Sequence, residues 1–222
     1  MNDENLLFFV RDPGSESVKS RLAAAVGREA ARELYRCFLL DMAATLTRGD
    51  FSLAICVHPA EAVSAAKQFL GAQHHYRPQA GDDLGRNMRE AFTEAFTAGY
   101  KRVVLIGSDL PDLPLDTLEK AFSLLRTVDC VIGPSADGGY YLIGFTSTSF
   151  VSEAFSRITW GSASVLADTI RCIEDHGRRI GYLPLGHDID TLEDLRAFCL
   201  RNQGRSPALH TRGYLSRSRL LE

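Results

Sequence analysis

Residues 103–113 read Val-Val-Leu-Ile-Gly-Ser-Asp-Leu-Pro-Asp-Leu. A continuous Val/Ile/Leu run suits the central strand of a parallel sheet, covered on both faces by other elements. In such sheets ligands sit just beyond the carboxyl ends of the strands, and Asp109 stands there. A carboxylate in that position can hold Mg²⁺ or Mn²⁺ against a nucleotide phosphate, because hard cations prefer oxygen ligands and keep phosphate as a co-ligand. The alternative is a turn aspartate that only caps the helix beginning near Pro114.

The rest of the chain is consistent with that strand. Leu6 to Val10, Phe51 to Val57, Cys130 to Ile132 and Tyr140 to Phe145 also read as strands, separated mostly by helix-period segments. From Leu84, Met88, Ala91, Phe92, Ala95 and Phe96 recur at helical spacing. Two further apolar stripes, Leu34 to Met42 and Val165 to Ile173, read as core-facing helices. The expected fold is α/β, a three-layer α/β/α sandwich around a mostly parallel sheet. With 222 residues, one domain over residues 1–202 is expected, followed by a loosely held tail over 203–222 with a docked piece around Tyr214 and Leu215.

A net charge of -3 gives no electrostatic reason for a nucleic acid or an anionic membrane as partner. No apolar run reaches the roughly 20 residues of a membrane span, and no signal sequence is visible, so a cytoplasmic protein is expected. The five cysteines are far apart in apolar patterns, which suits buried thiols better than a disulfide framework or a zinc site. A small soluble partner fits best, and a homodimer is compatible with the sequence.

Four further loops carry candidate chemistry. After the first strand come Arg11, Asp12, Pro13, Gly14 and Ser15, then Lys19 and Arg21 at a helix start, where cations and backbone amides can meet phosphate. Neither GxGxxG nor GxxxxGK[ST] follows any strand, which argues against a dinucleotide-binding domain and a P-loop enzyme. Gly81, Asp82 and Asp83 lead into the Leu84 helix; they either meet a nucleobase edge or simply cap the helix. Asp137, Gly138 and Gly139 precede Tyr140 and read as a ligand-facing loop or a plain hairpin turn. Asp188 and Asp190 flank one apolar residue beyond the strand-like Ile180 to Leu185 segment. Side chains two apart in extended backbone share a face, so both can reach one ion, although Asp190 with Glu193 also makes a capping pair.

In this order, these blocks resemble the nucleotide-diphospho-sugar transferase superfamily with the GT-A fold, and within it a bacterial glycosyltransferase-like family associated with radical-SAM and selenium domains. The resemblance runs from about Leu6 to Leu200. Its most specific parts are Leu105 to Leu113, Gly133 to Gly144 and Asp188-Ile189-Asp190-Thr191. It implies a metal-dependent transferase of glycosyl or nucleotidyl groups, taking a nucleotide sugar or nucleoside triphosphate as donor and a small molecule as acceptor. Asp109 would hold Mg²⁺ or Mn²⁺ with Asp188 and Asp190 as further ligands. Lys19, with Asp109, would be catalytic; Lys19 and Arg21 would contact phosphate and Arg11 the substrate, Gly81 and Asp83 the base or ribose, and Asp137 to Tyr140 the acceptor. The chain departs from the family pattern at Glu16, where glycine is usual, and at Asn87, where the Gly-Gly-Asp-Leu-Gly-x-Arg-Met block is altered. Those departures leave a second reading open, that of a non-catalytic nucleotide- or partner-binding relative.

Overall fold

In the computed structural model, which describes residues 2–156, 158–203, 208–218 and 220, strands and helices alternate along most of the chain. The order is β1 (Glu4–Arg11), α1 (Ser20–Val26), α2 (Arg28–Leu46), β2 (Ser52–His58), α3 (Val63–Leu70), β3 (His75–Pro78) and α4 (Leu84–Thr97). Then come β4 (Arg102–Ile106), α5 (Leu115–Leu124), β5 (Cys130–Pro134), β6 (Tyr140–Thr146), α6 (Val165–Asp175), β7 (Ile180–Tyr182), α7 (Leu192–Arg201) and α8 (Leu209–Ser218). The strands form one sheet in the order β3-β2-β1-β4-β6-β5-β7. Only β6 runs antiparallel to its neighbours, β4 and β5.

The apolar strands are explained by two cores, one on each face of the sheet. In β1, Leu6, Phe8 and Val10 face a cluster completed by α1, α2, α3, α5 and α7, whereas Leu7 and Phe9 face a second cluster with α4 and α6. Side chains alternate along a strand, so a strand covered on both sides must be apolar at nearly every position. This is the expected α/β/α sandwich. The second core is rich in rings: Phe92 lies 5.5 Å from Phe145 and 5.6 Å from Phe155, centroid to centroid.

Two strands differ from the sequence expectation. β3 was not expected, because its four residues, half-exposed at the sheet edge, include Arg77 and Pro78 and show no apolar alternation. The last strand, expected over Ile180 to Leu185, ends at Tyr182, although Leu183 N still donates to Ile132 O at 2.9 Å. From residue 203 onward, 204–207, 219, 221 and 222 lie outside the described residues, and α8 occupies most of the remainder. The buried carboxylate of Asp41 on α2 accepts from His210 N and Thr211 N, both at 2.8 Å, and from Thr211 Oγ1 at 2.7 Å. It thereby caps the start of α8, while Tyr214 and Leu215 pack against the first core.

Candidate active site

The loops that follow β1, β3, β4, β5 and β7 all open at the carboxyl edge of the parallel strands. They are tied together by backbone bonds. Ile189 N donates to Asp109 O at 3.0 Å, which sets the β7 loop beside the β4 turn. Gly186 N donates to Pro134 O at 2.8 Å and Ala136 N to Gly186 O at 3.2 Å, which sets the same loop beside the β5–β6 hairpin.

Lys19 lies at the centre. Its ammonium is 2.6 Å from Asp109 Oδ1 and 2.8 Å from Asp190 Oδ1, and Arg21 Nη2 lies 2.6 Å from Asp190 Oδ2. Burial opposes the lysine's charge, but Asp109 and Asp190 together outweigh it and hold its pKa above the ordinary value. Asp190 is likewise half-buried, yet Lys19 and Arg21 hold it below the usual carboxylate range. Lys19 also has φ 53°, the only positive φ at a non-glycine position among the described residues. A lysine in the left-handed region is strained by roughly 1–2 kcal/mol, a strain that persists only where the surroundings over-determine it. Here the two ion pairs and the start of α1 fix the side chain and the backbone together.

Neither acidic residue is a helix cap. Helix α5 begins after Pro114 with no side-chain cap, and α7 begins with a capping box of Thr191 and Asp194. Asp109 and Asp190 are therefore left to the ion-pair network. Asp112, in the same turn as Asp109, is a brace: it accepts from Arg201 Nε at 2.9 Å and Asn202 Nδ2 at 2.7 Å, tying the turn to the end of α7.

Asp188 sits in a different environment. Its Oδ2 accepts from Ser135 Oγ at 2.6 Å, while its Oδ1 is buried without a hydrogen-bond partner. Burial, only partly offset by Ser135 and reinforced by the charge of Asp109, pushes its pKa up to about 6. The three aspartates thus converge on one region, but not as three free carboxylates. Among the described residues no three His, Cys, Asp or Glu side chains are gathered so as to hold a metal by themselves.

Three adjoining cavities surround this cluster. A polar one of about 360 Å³ is lined by Arg11, Lys19, Arg21, Tyr35, Asp109 and Asp190. Beside it, sharing Arg11, Ser108 and Asp109, is one of about 240 Å³ walled by His58, Gln79, Asp82 and Asn87. The third, about 230 Å³, joins the second at Phe9, Leu84 and Gly107 and runs to Tyr140, Trp160 and Asp188. Asp83 serves as the cap of α4, accepting from Arg86 N at 2.7 Å, and Gly81 O accepts from Asn87 Nδ2 at 2.6 Å. The wall of the second cavity therefore comes from their neighbours. Asp137, Gly139 and Tyr140 line the third cavity. Gly138 has φ 92°, and a Cβ there would stand 2.5 Å from Ala163 O, so only glycine fits.

The two departures from the family pattern look different in three dimensions. Glu16 is exposed, lines an adjoining cleft that shares Ser17 and Ser20 with the polar cavity, and stands 3.9 Å from Arg32; its side chain is not among those lining the polar cavity. Asn87 is buried and braces Gly81 and Gln79, leaving its Oδ1 unpartnered at the second cavity. Sequence reading missed Tyr35, which it placed in a core stripe. Its hydroxyl receives Arg11 N at 2.8 Å and lies 3.0 Å from Ser108 Oγ, and burial raises its pKa to about 12. It also missed Trp160, whose sequence context carries no periodic or motif signal.

A family model described as "Uncharacterized protein conserved in bacteria (DUF2064)" matches residues 39–162, more than half of the chain. The chain belongs to this family. A solved structure from Desulfovibrio desulfuricans G20, provisionally named a nucleotide-diphospho-sugar transferase, is 39% identical, with a TM-score of 0.93 over all of this chain and 97% of that one. A nucleotidyl transferase from Methanothermobacter thermautotroptrophicus is 13% identical, with a TM-score of 0.62 over 90% of this chain and 98% of that one. A cytidylyltransferase from Leptospira borgpetersenii serovar Hardjo-bovis is 15% identical, with a TM-score of 0.61 over 97% of this chain and 93% of that one. At these low identities the last two share the fold with this DUF2064 member and nothing finer. No curated protein matches the sequence.

Proposed function

We propose that this DUF2064 protein is a metal-dependent transferase that moves a glycosyl or nucleotidyl group from a nucleotide sugar or nucleoside triphosphate to a small acceptor. The observation that carries the reading is the placement of Asp109 and Asp190 around the buried ammonium of Lys19 at the carboxyl edge of the sheet, next to the unpartnered Oδ1 of Asp188. The whole-chain likeness to the Desulfovibrio protein supports it. An association with radical-SAM and selenium domains rests on the sequence resemblance alone and belongs to this proposal.

Asp109 and Asp188 would hold a divalent cation, since Asp190 is paired with both Lys19 and Arg21 whereas Asp109 is paired with Lys19 alone. Mg²⁺ typically takes one or two carboxylates and completes its shell with water and substrate phosphate, so a two-carboxylate site suffices. When bound, Mg²⁺ or Mn²⁺ would neutralise charge growing on the leaving phosphate. The chain's own contribution is positional. Asp190 orients Lys19 and Arg21, and with Arg11 these cations border the polar cavity where a phosphate would lie. A base edge would lie in the second cavity, a reading supported by two of its lining residues, Asn87 and His58, each keeping a buried side-chain atom, Oδ1 and Nδ1, without a hydrogen-bond partner.

The reading is tested by a thermal-shift panel of nucleotides and nucleotide sugars with and without Mn²⁺, followed by turnover assays on the best donor. A metal-dependent rise in melting temperature and turnover that falls in Asp109→Ala are expected. Equal turnover in wild type and variant would remove Asp109 from the mechanism. Metal-dependent binding with no product from a broad acceptor panel would favour the non-catalytic relative instead.

A further inference from the structure

The geometry points to an uncharged acceptor with an apolar body, and against a phosphorylated or otherwise anionic one, as the molecule that fills the cavity between α4, the β5–β6 hairpin and Trp160. This inference rests on the transferase reading for the word acceptor, but the binding chemistry stands on the cavity itself. Its walls are Phe9, Leu84, Met88, Leu105, Tyr140 and Trp160. Among the described residues, the only charged side chains lining it are Asp137 and Asp188, both carboxylates. The cations of the site, Arg11, Lys19 and Arg21, all line the neighbouring polar cavity instead.

That partition decides the ligand class. A phosphate or carboxylate entering the apolar cavity would leave water, meet none of these side-chain cations and, in the metal-free chain, face two carboxylates, with compensation only at the Asp188 edge when a divalent cation is bound there. An aliphatic or aromatic body gains from the same walls, and small-molecule sites are mostly apolar with a few placed polar groups. The polar side chains of the lining include Asp137, Ser162 and, at the edge nearest Asp109, Asp188, which Ser135 holds. An acceptor hydroxyl placed there would lie next to Asp109, whose backbone is tied to the residue after Asp188.

The shape of the cavity is built in. Trp160 closes over the first turn of α4, where Gly85 leaves room; a Cβ on Gly85 would lie 2.9 Å from Trp160 Nε1 and 2.2 Å from Phe155 O. Tyr140 meets the indole edge-on, with centroids 6.5 Å apart and planes at 82°. Trp160 is the only tryptophan of the chain, so tryptophan emission comes from the wall of this cavity.

The test is a titration of the full chain in EDTA, followed by Trp160 emission, with 2-phenylethanol and with its phosphate monoester. The two probes share one apolar body and differ in carrying a neutral hydroxyl or an anionic phosphate. The alcohol should give a saturable change, and the ester should bind at least about tenfold more weakly. Saturation-transfer NMR on the same samples detects binding that leaves the indole unmoved. Leu84→Lys, at a partly exposed position on the cavity wall, should reverse the preference towards the ester. An ester that binds wild type as tightly as the alcohol, no binding of either probe by both methods, or a preference unmoved by Leu84→Lys would each overturn the inference. Nucleotide binding with an ester-preferring cavity sinks this inference alone. Alcohol selectivity without any nucleotide binding sinks the transferase reading alone.

Discussion

The amide of Ile189 donates to the carbonyl oxygen of Asp109 at 3.0 Å, and this one backbone bond places Asp188 and Asp190 on either side of a residue of the turn that follows β4. Because the tie is main-chain, it survives any change of the three carboxylates. The side chains can then diverge in role: Asp190 is neutralised by Lys19 and Arg21, and Asp188 is left half-satisfied in a drier setting.

Replacing Asp109 by asparagine should therefore leave the fold intact and remove function. The side chain is 40% exposed, so little stability depends on it. Turnover with Mn²⁺ should drop roughly 10²–10³-fold, the scale of losing one preorganised electrostatic group, with the circular dichroism spectrum unchanged.

Lys19→Met should be destabilising. It keeps the buried stem but leaves Asp109 and Asp190 facing each other without their shared cation. Breaking a buried pair costs about 3–5 kcal/mol, and the partial exposure of both carboxylates lowers this to about 1–3 kcal/mol. Urea unfolding midpoints measure it, and a midpoint unchanged from wild type would show that the network is not structural.

Stability should depend on Asp188 across a defined pH window. Its carboxyl has a folded pKa of about 6 against an ordinary value of 3.8, chiefly through burial. Between those values the folded chain keeps a proton that the unfolded chain has released, so stability falls as pH rises through the window and stays lower above it. Asparagine cannot ionise. In EDTA, Asp188→Asn should match wild type near pH 4 and exceed it near pH 8 by at most about 3 kcal/mol, read as melting temperature. A variant no more stable than wild type near pH 8 would contradict the assignment.

Asp41→Ala should release α8. The buried carboxylate holds three donors of His210 and Thr211, and their loss exposes amides that nothing else on α2 can satisfy. A stability loss of about 1–3 kcal/mol and faster proteolytic clipping near residue 209 are expected. Asp41→Asn, which retains one acceptor oxygen, should fall between the two.

The sandwich was legible in the chain because burial on both faces leaves strands such as Leu6 to Val10 and Val103 to Ile106 with no polar position, a pattern that few other structures require. β3 was illegible for the converse reason, since a short edge strand carrying Arg77 and Pro78 is held by backbone bonds to β2 and shows no pattern of its own. At the site, the sequence supplied the loop positions of Lys19, Asp109, Asp188 and Asp190 but left each aspartate open to a cap or a ligand role. Capping competes locally and can be read locally; Thr191 and Asp194 took the cap of α7 and thereby freed Asp190.

The sequence alone determined the alternation of strands and helices and the carboxyl-edge location of the acidic turns, because both follow from short-range periodicity and strand ends. Tertiary structure alone decided that Lys19 stands between Asp109 and Asp190, that Asp188 is buried with an unmet oxygen, and that cations and apolar walls occupy separate cavities. Those facts depend on residues up to 171 positions apart being brought within hydrogen-bond reach, a distance over which no local pattern carries information.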